Sequence, residues 1–224
     1  MRKALLTLVA AAALGGLIGT SIHVVRSGGE GSYTFQMHQP GDPGTPVTFS
    51  SCKPIRVEFN LDGVDHPDVV QRMLFSAMGE VSAASGLNLQ YAGPTTRRPV
   101  WNDPTLTLEG GVWPVLVAFA TPDELPEMRG AAGRGGGTAF TNGTRTTYRM
   151  GKVVLETDYF NGLHDRFRGL EHGRATMIHE FGHVLGLGHV RDRGEVMNKD
   201  GHGVTELGPG DRRGLALLGK GPCT

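Results

Sequence analysis

The 224-residue chain has no excess charge of either sign. Its 22 basic residues are matched by 22 acidic ones, and no long run of like charge occurs. Clustered Lys and Arg are what grip a phosphate backbone or an anionic bilayer, so neither a nucleic acid nor a polybasic membrane contact is expected. No internal repeat is present. Cysteine is scarce: Cys52 and Cys223 are the only two. An even count in an exported chain points to a disulfide. This one would tie the first strand of the domain to the C-terminus and close a very long loop.

Glycine is plentiful at 35 residues, but clear apolar runs remain, so the composition is that of a loop-rich globular domain. The length suits one sizeable domain plus a targeting segment. A domain of about 170 residues buries about 70% of its unfolded surface, so neither metal nor disulfide is needed merely to fold.

Residues 1–26 read as an export signal. Met1-Arg2-Lys3 is a short positive region, Ala4 to Ile18 is apolar or small apart from Thr7, and Gly19-Thr20-Ser21 offers small residues for cleavage. The uncharged run continues to Val25, and about 20 apolar residues can span a bilayer, so an uncleaved anchor is the alternative. Either way the domain is expected outside the cytoplasm, secreted or anchored. Residues 27–50, rich in Gly and Ser and carrying Pro40, Pro43 and Pro46, read as a linker or extended arm. The domain is expected over 51–224.

Ile55 to Phe59 alternates apolar and charged residues, as a strand with one buried face does. Asp65 or His66 opens a helix with Pro67 in its first turn, and this helix stops at Ser85-Gly86. Leu87 to Tyr91, Val115 to Ala120 and Val153 to Leu155 read as further strands. The pattern is α/β, with at least one helix packed on a sheet. Arg174 to Leu187 reads as a buried helix and Gly210 to Leu218 as a last one, with Asp211 in its first turn, where a carboxylate suits the helix dipole. Gly133 to Gly137, followed by Thr138 to Thr141, has two readings. It is either a flexible surface loop or an edge strand whose bare backbone admits a peptide ligand.

The chemistry concentrates in His179-Glu180-Phe181-Gly182-His183. Residues four apart share one helix face, so both imidazoles can reach one metal. Glu180 sits about 100° around the axis, where it can meet water without ligating the metal. His189 follows His183 by six residues. In a continuing helix it would lie about 9 Å further on and face elsewhere. The chain must turn between them, and Gly186 can take the left-handed conformation that reverses it. Three neutral imidazoles leave a fourth tetrahedral position of Zn²⁺ open to water, as a catalytic rather than a structural site requires. Glu180 is the candidate general base.

His179 to His189 thereby matches the metzincin zinc signature, His-Glu-x-x-His-x-x-Gly-x-x-His. The resemblance is sharp from about 174 to 218 and only architectural from 54 to 160. It implies a metzincin-like zincin: a twisted, mostly parallel sheet with an antiparallel edge strand, an active-site helix, a Met-turn and a C-terminal helix. Met197, in Glu195-Val196-Met197-Asn198, stands where the Met-turn is expected. Asp211 looks like the acidic residue that supports that turn in matrixin-type domains. The resemblance also favours Gly136, Gly137, Thr138, Ala139 and Phe140, on to Thr141, as the edge that pairs with extended substrate.

The implied activity is that of a monomeric zinc endopeptidase acting on extended peptides. Its alternatives are a catalytically silent or latent zinc-binding protein of the same fold, or a hydrolase of non-peptide amides. Asn198 follows the Met-turn position without a tyrosine to serve as a fifth ligand. His164-Asp165 and His172 do not match the matrixin pattern for extra zinc or calcium and read as surface residues. No family-type cysteine switch is seen. A free Cys52 thiolate capping zinc stays open beside the disulfide, but would leave Cys223 unpaired.

Overall fold

The computed structural model describes residues 25–26, 31–101, 113–201 and 203–223. Residues 1–24 of the expected 1–26 signal region, and His202, lie outside them. Among the described residues no helix is long and apolar enough to cross a membrane.

Two short strands, β1 (Val25–Arg26) and β2 (Ser32–Tyr33), pair antiparallel, as do β3 (His38–Gln39) and β4 (Asp42–Pro46). The main sheet is built from β5 (Ile55–Asn60), β6 (Leu89–Pro94), β7 (Val115–Ala120), β8 (Gly133–Asn142) and β9 (Arg145–Glu156) in the order β6-β5-β7-β9-β8. All neighbours are parallel except β8, which pairs antiparallel with β9 at one edge. β7 is buried along its whole length, as its unbroken apolar run requires of a strand covered on both faces. In β5, Ile55, Val57 and Phe59 point into the core and Arg56 and Glu58 point away, as their alternation predicts.

Helices α1 (Pro67–Ser85) and α3 (Gly169–Leu185) share the core beneath the sheet, with the single-turn α2 (Thr157–Asn161) between them in sequence. Val70, Met73, Leu74, Ala77, Met78 and Val81 of α1 form one buried stripe. The helix begins at Pro67 and ends at Gly86, whose φ of 76° lets its N–H close back on the Ser82 carbonyl. The last helix, α4 (Pro209–Leu218), packs against α1 and α3. Cys52 and Cys223 form a disulfide across a separation of 171 residues, with Cα atoms 5.0 Å apart. No thiolate therefore remains to cap a metal.

The stretch expected as a linker is different in its described part, 31–50. Val47 is fully buried and Phe49 nearly so, and both belong to the core. The Gln39 side chain bonds the backbone of Thr146 in both directions, at 2.8 and 2.9 Å. Tyr148 N–H donates to the Thr48 carbonyl at 3.0 Å. The Pro and Gly of this arm shape its hairpin, while Phe35, Met37, Val47 and Phe49 alternate inward around them.

Candidate metal centre

Helix α3 carries the first two histidines one turn apart, and their rings meet edge to face at 4.6 Å between centroids. The turn that returns the third is built at Gly186. With φ of 117° it sits where a side chain is strained, and its N–H reaches the carbonyls of both Gly182 and His183. Leu187 N–H then bonds Gly182, closing the helix end. From there the N-terminal arm takes hold. Gly188 N–H donates to the Thr34 carbonyl at 2.8 Å, and Thr34 Oγ1 donates to the His189 carbonyl at 3.0 Å.

The result is a triad of imidazoles whose ligating atoms all lie within 4.8 Å of one another. His189 Nε2 stands 3.1 Å from Nε2 of His179 and 3.0 Å from Nε2 of His183. The other ring nitrogens fix what these atoms are. His179 Nδ1 lies 2.7 Å from the Val196 carbonyl and His183 Nδ1 lies 2.8 Å from that of Leu187. A carbonyl accepts only, so His179 Nδ1 carries the proton and its Nε2 is a bare lone pair; the Leu187 carbonyl asks the same of His183, with the Gln36 amide turned to present its oxygen to that ring. A proton on His189 Nε2 could satisfy only one of the two lone pairs it meets at 3.0–3.1 Å, whereas a cation at their meeting point satisfies all three, so the residues present fit a bound metal ion. Burial holds His179 down at about 4 and His183 well below the usual imidazole range. His189 is lowered too, by burial and then by Lys199. All three are neutral at pH 7, as metal ligands must be.

Glu180 lies beside this triad, 6% exposed, on the wall of a cleft of about 860 Å³. Burial pushes its carboxyl up to about 8, against the pull of Arg134 and of a hydrogen bond from Gly135 N–H. A bound cation would favour the ionised form. Its backbone explains the glycine run. A Cβ on Gly135 would overlap the Glu180 carbonyl oxygen, one on Gly133 would stand 2.8 Å from Glu180 Cγ, and one on Gly137 2.6 Å from the Val184 carbonyl. The alternate glycines of β8 thus let the edge strand lie directly on α3. Their bareness serves the contact with the helix. Gly136 points away and has nothing within 4 Å.

Gly135→Ala is accordingly expected to destabilise the protein by about 3 kcal/mol, the upper range for overpacking, while Gly136→Ala stays within about 0.5 kcal/mol. Urea unfolding of both variants checks this. Equal stability of the two would contradict the packing argument.

Below the triad, Met197 is 1% exposed, its Sδ facing Gly182 of α3. Its turn is held by a reciprocal pair of buried carboxylates. Asp211 in α4 accepts from the N–H of Val196 at 2.6 Å, of Met197 at 3.3 Å and of Gly208 at 3.0 Å. Glu195 in the turn accepts from the N–H of Gly210 and Asp211, at 2.9 and 2.8 Å, and so satisfies the start of α4. Burial, with the nearby Glu195 charge, pushes Asp211 up to about 7, although its backbone donors pull it back.

The sequence expectations meet the cleft unevenly. His179, Glu180, His183 and His189 line it together, as do Asn198, Lys199, Gly201 and Gly203 after Met197. Of the expected edge residues only Gly136 and Gly137 line it. The strand contributes Gly133 to Gly137, whereas Thr138, Ala139 and Phe140 do not reach it. A bulge between Thr138 and Ala139 shifts the register there. His172, expected as a surface residue, is on the cleft wall. Two residues escaped the sequence reading. Glu195 was legible only as part of the Met-turn, because its partner N–H groups lie 15 and 16 residues away. Gln36, whose amide stands 3.0 Å from His183 Nδ1, sits in an arm with no local signal for the site.

No family model matches the chain, and no curated protein matches it in sequence. Among solved structures it is similar to archaemetzincin from Methanopyrus kandleri, at 18% identity and TM-score 0.47, over 75% of this chain and 94% of that one. It is also similar to metalloproteinase-II from Bacteroides fragilis, at 12% identity and TM-score 0.38, over 84% of this chain and 57% of that one.

Proposed function

We propose that the chain is a zinc-dependent endopeptidase of metzincin type, exported from the cytoplasm and acting as a monomer on extended peptides. The observation that carries this is the triad of imidazoles, with Nε2 atoms converging on that of His189 at 3.0–3.1 Å, and a buried glutamate in the same cleft. Zn²⁺ bound by His179, His183 and His189 would supply Lewis acidity to a water and to the scissile carbonyl. Glu180 takes the proton from the attacking water and returns it to the leaving amine. The Val196 and Leu187 carbonyls keep His179 and His183 in the tautomer that presents Nε2.

The substrate edge follows from the register. Glu156 N–H donates to the Ala132 carbonyl at 3.0 Å, so ladder bonds between β8 and β9 fall at even positions of β8. Gly133 and Gly137 therefore turn their N–H and C=O groups to the open edge, and Gly135 its C=O, its N–H being held by the Glu180 carboxylate. An extended peptide can add there as a further strand. The disulfide fits an oxidising compartment.

The test combines metal content with turnover. Protein purified from an oxidising compartment is expected to hold one zinc per chain and to cleave peptides from a fluorogenic set. A chelator should abolish cleavage and zinc should restore it. A folded sample that binds no zinc would overturn the reading. Stoichiometric zinc without cleavage would favour the silent or latent zinc protein.

A further inference from the structure

A second pocket, of about 200 Å³, opens where β5, β7 and the first half of β9 begin, and it shares no residue with the cleft. Its floor and walls are largely apolar, with Phe49, Ile55, Trp113, Val115 and Tyr148 among them. Phe49 and Tyr148 are nearly fully buried, their ring centroids 5.6 Å apart, and Trp113 is 36% exposed. The Tyr148 hydroxyl is buried without a hydrogen-bond partner.

The rim is different. Lys53, Arg56 and Arg149 stand on it, and among the described residues no carboxylate does. None of the three has a side-chain hydrogen bond or ion pair among the described residues. Glu58, two residues along the same face of β5 as Arg56, is taken by Arg97. Arg149 owes its place to the bulge in β9. Thr138 pairs with Met150 and Ala139 with Tyr148, so Arg149 is the extra residue between them. A bulge re-aims a side chain that a regular strand would send elsewhere. Three cations around one apolar pocket, unpaired among the described residues of a chain of zero net charge, form a local field of one sign.

We propose that this pocket is an exosite for an acidic protein segment, which seats one large apolar side chain between Phe49, Trp113 and Tyr148 and sets its carboxylates on Lys53, Arg56 and Arg149. Size selects a side chain over a free small molecule, because sites for whole ligands run to about 300–1,000 Å³. Charge selects the segment: Arg binds carboxylates with paired N–H donors, and the three cations have no competing partner among the described residues. Occupancy is independent of the chemistry in the cleft.

The test measures binding by fluorescence anisotropy with the full chain. The probe is a labelled peptide of one phenylalanine flanked by glutamates. Controls replace the phenylalanine with alanine, or the glutamates with lysines. The acidic phenylalanine peptide should bind at least about tenfold more tightly than either control, and binding should weaken as salt rises. Arg149→Glu should abolish it, as should the milder pair Lys53→Ser and Arg56→Ser at exposed positions, while Glu180→Gln leaves it unchanged. Circular dichroism confirms that each variant is folded. Equal binding of the alanine control, survival of binding in folded Arg149→Glu, or its loss in Glu180→Gln would each overturn the exosite.

Discussion

Glu180→Gln is expected to lower kcat for peptide cleavage by about 10³-fold while leaving zinc content unchanged. General base catalysis contributes about 10²–10⁴-fold, and glutamine keeps the volume of the side chain but cannot take a proton. The fold has little reason to suffer. The glutamine amide oxygen can still accept from Gly135 N–H, which the Glu180 carboxylate accepts now. Burial pushes the native carboxyl up to about 8, so a neutral group at this position removes a desolvation penalty instead of adding one. Thermal stability should therefore hold or rise as activity falls. The zinc ligands are untouched, because their second hydrogen bonds run to the Val196 and Leu187 carbonyls and not to Glu180. Kinetics and metal analysis on one preparation separate the roles. Full turnover in a zinc-loaded variant would remove Glu180 as base. Loss of zinc together with activity would make it a structural support of the site.

Much of this site could be read from eleven residues because their constraints are local. His179 and His183 meet through helix periodicity, and Gly186 announces the reversal that brings His189 back. The strands of the main sheet were legible for a similar reason, since alternation in β5 and an unbroken apolar run in β7 report burial directly. What failed was long-range. The arm at 31–50 looked like a linker because proline and glycine dominate it, and the few residues that anchor it touch elements more than 100 positions away. The glycine run points to a close backbone approach, and in the structure α3 makes that approach. Period-two spacing of Gly133, Gly135 and Gly137 identifies one covered face, and only the structure puts α3 against it. Nor does the sequence announce the bulge at Arg149, beyond which Thr138, Ala139 and Phe140 no longer line the cleft.

Asp211→Ala is expected to cost about 4 kcal/mol, more than any other single substitution considered. Asp211 is fully buried and satisfies three backbone N–H groups, of Val196, Met197 and Gly208. Alanine leaves all three without an acceptor, at about 1–3 kcal/mol for each unsatisfied buried group. Charge relief works the other way. Without Asp211 the neighbouring Glu195 no longer faces a second buried carboxylate, so the sum falls short of three full penalties. The damage should spread to the metal. Val196 supplies the carbonyl that fixes His179, and Met197 packs beneath α3, so a loosened turn should also weaken zinc binding. Asparagine separates the contributions. Its amide oxygen can keep the two shorter bonds, from Val196 and Gly208, so it should cost less than alanine. It also removes titration. The native carboxyl is raised to about 7 by burial and then by Glu195, above its ordinary value. The folded state therefore binds more protons than the unfolded state between about pH 4 and 7, and wild-type stability should fall as pH rises through that window. The asparagine variant should lack this fall, so its deficit against wild type should shrink toward pH 8. Urea unfolding at pH 5 and pH 8, with zinc content measured on each sample, checks both parts. A deficit equal at pH 5 and pH 8 would mean that the backbone donors outweigh burial and hold Asp211 ionised throughout.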